Sequence, residues 1–257
     1  MLAALLAARL AVLHLTPEAA LSQETEGDLA GRAEVLADAG ELCPLRLGLA
    51  DPVVLGPKRV LLHGVLSAGA IGPYRSVALL TEDAGRTWRE TMSPTPGSEV
   101  SEVVVRGNEL WALVAFGVEG PGPVQVFHSA DGARTWSHLT EVVKRDPLGV
   151  VGGLAFADAL HGQLVVDYDG MSLVPPTDLQ KTEDGGRTWH VVGPAPAAAP
   201  SQAPLAAPPQ AWRLRADPGG VLIVEQHTAG PPDTWTPVSR LPSSFRRTAQ
   251  GALKPCR

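Results

Sequence analysis

Apolar residues in this chain come in short runs, several of them alternating with polar residues, and clusters of Gly, Pro, Asp and Ser separate the runs. Ser101 to Arg106 (SEVVVR), Glu109 to Phe116 (ELWALVAF) and Val124 to Ser129 (VQVFHS) read as three successive strands, followed by a turn and a short strand from Thr135. The order returns in Gly153 to Phe156, Gln163 to Asp167, Asp178 to Thr182 and Thr188 to Val192. Upstream, Val60 to Ser67 and Arg75 to Thr81 supply strands of an earlier unit; downstream, Trp212 to Ala216 and Val221 to His227 supply those of a later one. Twenty-seven glycines and 24 prolines suit frequent turns and argue against long helices.

One turn recurs. TEDAGRTW (81–88), SADGARTW (129–136) and TEDGGRTW (182–189) share one pattern, and TAGPPDTW (228–235) is a worn copy. Their third positions lie 48, 53 and 46 residues apart, a period that holds about four short strands with turns, the size of a propeller blade. The expected fold is therefore an all-β propeller of about four recognisable four-stranded blades, with more if strands near the termini are degenerate. Asp83, Asp131 and Asp184 are expected to accept backbone N–H groups just ahead of them and close the turn. Gly85 and Gly186 permit the positive φ that a tight hairpin needs. Thr87, Thr135 and Thr188 open the last strand, and alternation places Trp88, Trp136 and Trp189 on one face, between neighbouring blades, with Trp235 as the fourth copy.

The Ser/Thr-x-Asp-x-Gly-x-Thr-Trp pattern resembles the Asp-box, or bacterial neuraminidase repeat, of sialidases, sortilin-type receptors and photosystem II assembly factors. The second copy departs from it, with Ala133 in place of Gly and Gly132 one position early; the fourth keeps only Thr228, Thr234 and Trp235. FADALHGQLVVDYDG (156–170) also resembles a Phe-x-Asp-x-x-x-Gly segment of the photosystem-assembly branch. The resemblance implies a propeller whose boxes are structural hairpins. It also raises a sialidase-type site, which would need three arginines, a Tyr activated by Glu, and an Asp. The chain has two tyrosines, Tyr74 and Tyr168. Tyr74-Arg75 is followed by Ser76 and Val77 rather than Ile-Pro, and Tyr168 stands between Asp167 and Asp169 with no adjacent Glu. Arg86, Arg134 and Arg187 occupy equivalent box positions, so symmetry spreads them around the ring.

Composition narrows the function further. The net charge is −6 and no run of Lys or Arg exceeds two residues, so the footprint of a nucleic-acid binder is missing. The seven histidines lack ligand spacing, there is no Gly-x-Ser-x-Gly elbow, and Asp167-Tyr168-Asp169-Gly170 lacks the alternating oxygens of a calcium loop. No metal or cofactor is expected. Residues 1–22 read as a signal peptide, too short and interrupted to span a bilayer, with a short helical or irregular segment at 23–42. The propeller is assigned to 43–257, with a Pro/Ala-rich insertion at 194–210. Cys43 and Cys256 are either two buried thiols or a disulfide closing a loop of roughly 210 residues, which the loop-entropy relation values at about 4–5 kcal/mol. The expected function is a non-catalytic, exported scaffold that binds a protein partner through loops opposite the box hairpins, Arg106–Asn108, Ala157–His161 and Ala216–Gly220. The alternative is a sialidase-like glycoside hydrolase or a glycan-binding module.

Overall fold

The computed structural model describes residues 45–68, 72–93, 95–117, 122–168, 177–195, 211–228, 234–248 and 252–256. The expected signal peptide at 1–22, the 23–42 segment, Cys43 and most of the expected Pro/Ala insertion lie outside them. Every regular element among the described residues is a strand, and none is a helix that crosses a membrane.

In chain order, β1 (Leu45–Leu49), β2 (Val53–Gly56), β3 (Arg59–Ser67), β4 (Pro73–Thr81) and β5 (Arg89–Glu90) begin sheet I. Sheet II is β6 (Ser98–Arg106), β7 (Glu109–Phe116), β8 (Val124–Ser129) and β9 (Ser137–Glu141), paired in that order. Sheet III repeats the meander with β10 (Val150–Phe156), β11 (Gly162–Asp167), β12 (Thr177–Thr182) and β13 (His190–Gly193). Sheet IV has three strands, β14 (Trp212–Ala216), β15 (Val221–Thr228) and β16 (Thr234–Pro242). The last hairpin, β17 (Ser244–Arg247) and β18 (Leu253–Pro255), returns to sheet I, where β17 pairs with β1 through Leu45↔Phe245 and Arg46↔Ser244. All pairings are antiparallel.

The middle strands are near-continuous apolar runs because both of their faces are covered. In β3, Val60 and Leu62 pack toward sheet IV while Leu61 packs toward sheet II. In β7, Leu110, Ala112 and Val114 face sheet I, and Trp111 and Leu113 face sheet III. Three core clusters result. Trp88, Leu79 and Leu47 meet Trp212, Val224 and Leu241 between sheets I and IV. Leu80 and Met92 meet Val100 and Leu110 between I and II, and Trp111 and Val126 meet Leu154, Phe156 and Leu164 between II and III. Four antiparallel sheets stacked face to face in the order IV–I–II–III make the chain an all-β propeller. Among the described residues no core cluster joins III to IV, the junction that the Pro/Ala stretch crosses in sequence.

Sheet IV departs from the expected blade. TAGPPDTW joins the second strand of its sheet to the third, whereas the other three boxes join the third to the fourth. Trp235 accordingly does not fill a joint between sheets; its ring lies under the Arg213 guanidinium at 4.1 Å. The match to the box was one of residue letters, because Thr234 and Trp235 open β16, the third strand of their sheet.

Candidate functional site

The three full hairpins share one hydrogen-bond circuit. In the third, Thr182 Oγ1 donates to Asp184 Oδ1 at 2.8 Å and accepts the Gly186 N–H at 2.9 Å. Asp184 Oδ1 also accepts the N–H groups of Arg187 (3.0 Å) and Thr188 (2.9 Å), and Oδ2 accepts the Thr188 hydroxyl at 2.7 Å. Asp83 takes Thr87 N–H at 2.9 Å and its hydroxyl at 2.6 Å, and Asp131 takes the same groups of Thr135 at 2.9 and 2.7 Å. The Thr188 hydroxyl, followed by the amides, holds the Asp184 carboxyl down to about 2. Burial acts to raise Asp83 and Asp131, but their threonine hydrogen bonds outweigh it and keep both below the usual carboxylate range.

Both central turn residues carry positive φ in every copy: Ala84 62° and Gly85 83°, Gly132 72° and Ala133 67°, Gly185 76° and Gly186 94°. Left-handed residues at two successive positions are what a tight reversal between twisted strands favours. The Gly/Ala exchange in the second copy therefore leaves the turn intact and moves the strain to Ala133. Ala84→Gly removes a left-handed alanine at the cost of glycine's greater chain entropy, for a net gain of roughly 0.5 kcal/mol. A rise in the urea midpoint is expected, and a fall would contradict the left-handed assignment. A Cβ at Gly132 would displace the Arg59 guanidinium that its carbonyl holds.

Each hairpin is seated by the preceding sheet. Trp88 Nε1 donates to Ser239 Oγ of sheet IV at 3.1 Å, and Trp136 Nε1 to Thr91 Oγ1 at 3.2 Å. Trp189 instead packs edge-on to Phe156 of its own sheet, with centroids 6.0 Å apart. From the other side, Trp111 of β7 donates its Nε1–H to Gly185 O at 2.8 Å and stacks on Phe156 at 3.8 Å. Arg59 of β3 donates to Gly132 O at 2.7 Å. Neither Trp111 nor Arg59 was singled out by sequence.

Two of the three loops expected opposite the hairpins, Arg106–Asn108 and Ala157–His161, lie beside them. Gly132 N–H donates to Asn108 O, Gly185 N–H to Leu160 O and Ala84 N–H to Lys58 O, at 2.9, 2.9 and 3.0 Å. In an antiparallel meander the first and third turns fall at the same end, so Arg106–Asn108 and Ala157–His161 share the hairpin end. Two features stand out there. Arg59, Arg89 and Arg134 converge on Glu82, with Arg134 at 2.7 Å and the other two at 3.6 Å. Arg59 Nε is buried without a hydrogen-bond acceptor. The cluster mixes one box arginine with two from sheet I; Arg187 turns back to Asp184 O at 2.6 Å. The second feature is a groove of about 420 Å³ at the end of sheet III, lined by Arg106, His161, Gln163, Lys181, Glu183 and the neighbouring backbone.

The residues raised for glycosidase chemistry are placed elsewhere. Tyr168 is 2% exposed, donates to Asp178 Oδ2 at 3.2 Å and accepts Arg145 N–H at 3.0 Å. Burial pushes its phenol up from the ordinary range, the opposite of what a nucleophile needs. Arg145 pairs with Asp178 in turn, and Lys144 Nζ donates to three carbonyls, of Gly122, Pro147 and Gly149. This cluster clamps the II–III connection. Arg75 is buried against Glu90 at 2.5 Å. His63 accepts no metal geometry: its Nδ1 lies 3.0 Å from Val100 O across the I–II joint. Among the described residues no group of His, Cys, Asp or Glu is arranged to hold a metal; Asp169 and Gly170 lie outside them.

No protein-family model matches the chain, and no curated protein matches it. Similar solved structures include YCF48 bound to D1 peptide, 17% identical, covering 82% of this chain and 62% of that one with a TM-score of 0.41. YCF48 from Cyanidioschyzon merolae is 18% identical over 83% and 69%, with a TM-score of 0.37. The GH93 alpha-L-arabinofuranosidase of Fusarium graminearum, in complex with arabinobiose, is 14% identical over 79% and 61%, with a TM-score of 0.41. This chain thus spans under two thirds of the YCF48–D1 peptide structure's propeller chain. At these identities and scores the likenesses carry no argument about function.

Proposed function

We propose that this propeller is a non-catalytic scaffold that holds an acidic segment of a protein partner against the hairpin end of sheets I and II. The observation behind it is the Arg59–Arg89–Arg134 cluster, in which three guanidinium groups share one carboxylate, Glu82. Two positive charges are left over. A planar guanidinium fork suits a second carboxylate supplied from outside. The turns around the cluster are tied by their own Asp–Thr hydrogen bonds, which lowers the ordering that binding would demand of the protein. A glycan would draw instead on the sheet III groove, whose single aromatic residue, Phe156, is turned into the core. We further propose that the three hairpins are Asp-box repeats nearest in pattern to photosystem II assembly-factor propellers, and that the chain is exported with Cys43 bonded to Cys256.

Binding of fluorescent Asp/Glu-rich peptides to the full chain tests the proposal. Affinity is expected to fall about tenfold in Arg89→Gln, to rise in Glu82→Gln, and to weaken with salt. Binding indifferent to Arg89→Gln, or a response only on a glycan array, would remove the proposal. Mass analysis of the same preparation, non-reduced, is expected to find no free thiol.

A further inference from the structure

We propose that the groove at the hairpin end of sheet III binds dipeptides with free termini, gripping the carboxylate and the ammonium at once. Its volume, about 420 Å³, falls within the range of small-molecule sites. The groove opens on the face of sheet III turned away from sheet II. The register puts Ala155, Gln163 and Lys181 side by side across β10, β11 and β12, while Leu164, the next residue of β11, packs toward sheet II. Alternation carries the same face on to Ala157, His161 and Glu183 just past the strand ends, where Ala157 N–H still donates to His161 O at 2.8 Å. All six line the groove. Its floor is low because β10 contributes only alanine, at Ala155 and Ala157, while long side chains form the rims.

The rims carry both signs of charge. Lys181 and Glu183 are exposed, and neither they nor the Gln163 amide has a side-chain partner among the described residues. Arg106 enters from β6. Its Nε donates to Phe156 O at 2.5 Å and its Nη1 to Val105 O at 3.4 Å, which fixes the guanidinium plane and leaves Nη2 unpartnered among the described residues. His161 Nδ1 is already engaged by Asp158 at 2.8 Å.

Spacing selects the ligand. β10 and β12 lie two strand spacings apart, about 10 Å, so Arg106 and Lys181 reach one anion from opposite rims. Glu183 stands two residues beyond Lys181 on the same face, a rise of about 7 Å. Two residues of extended peptide also span about 7 Å. A dipeptide laid along β12 therefore sets its carboxylate between Lys181 and Arg106, beside the Gln163 amide, and its ammonium against Glu183. A single amino acid is too short to reach both ends, and a plain anion leaves Glu183 unused. One peptide side chain would face the alanine floor and the other solvent, so the termini are read more closely than the side chains.

Calorimetric titration of the full chain with L-alanyl-L-alanine tests this, with thermal melts confirming that each variant is folded. Saturable binding at roughly 0.1–1 mM is expected, weakened about tenfold when the peptide is N-acetylated or C-amidated. Glu183→Gln is expected to abolish the penalty for acetylation and keep that for amidation; Lys181→Gln is expected to shrink the penalty for amidation and keep that for acetylation. No saturation up to about 10 mM overturns the proposal. So do equal affinities for free and blocked peptides, penalties that neither variant changes, or acetate binding as tightly as the dipeptide, which would make the groove a plain anion site. Arg59, Arg89 and Glu82 lie outside the groove, and Arg89→Gln is expected to leave dipeptide binding unchanged, so this reading and that of the arginine cluster can each fail without the other.

Discussion

Trp111→Ala is expected to lower folding stability by about 4–5 kcal/mol, the top of the range for a large aromatic removed from a packed interior. The ring is fully buried, stacks on Phe156, and delivers its N–H to the turn carbonyl of Gly185 in the next sheet. Deleting it opens a cavity at the II–III joint and orphans an acceptor at once. Trp111→Phe weights the two effects differently, since it keeps a ring against Phe156 while losing the hydrogen bond and a smaller part of the packing; a cost of about 2 kcal/mol is expected. Urea unfolding measures both. Equal losses in the two variants would mean that the hydrogen bond, not the packing, seats the third hairpin.

Asp184→Ala is expected to cost about 3 kcal/mol at neutral pH, because one carboxylate serves two hydroxyls and two amides of its own turn. The dependence on acid follows from the sign of the shift. Unfolded, the carboxyl titrates near its ordinary 3.8; folded, it titrates at about 2. Its contribution is therefore complete above about pH 4 and is lost as pH falls toward 2. The gap between wild type and Asp184→Ala should be constant from pH 7 down to about 5 and close between 4 and 2. Asp83 and Asp131 are shifted in the same direction, so the intact protein should lose stability across that window. A gap that persists unchanged at pH 2 would show that the carboxylate's charge is not what the turn uses.

The hairpins were legible because everything they need is local. Asp, Thr and the two left-handed positions lie within eight residues of one another, and their chemistry dictates the turn wherever it occurs. What seats the hairpins was not legible. Trp111 reaches Gly185 across 74 positions, and Arg59 reaches Gly132 across 73, with no local pattern announcing either. The worn fourth copy misled because Thr-Trp opens a strand in many turns. A strand count would have placed it: ADPGG at 216–220 joins a first strand to a second, as RGNE at 106–109 does in sheet II, so the next turn leads only to a third. The loops Arg106–Asn108 and Ala157–His161 fall at the hairpin end rather than opposite it for the same reason, since alternate turns of a meander fall together. The arginine cluster lay hidden because one of its members belongs to a box and two do not.

The pairing of β17 with β1 bears on how the chain comes into being. Leu45 and Phe245 are separated by 200 residues, so the first strand described waits beside a vacant edge until those residues have been synthesised. Sheets II and III are closed by neighbours in sequence and can assemble as they emerge. Sheet I is begun first and finished last, which makes its edge the place where a nascent copy is most exposed to mispairing and to any chaperone that guards it.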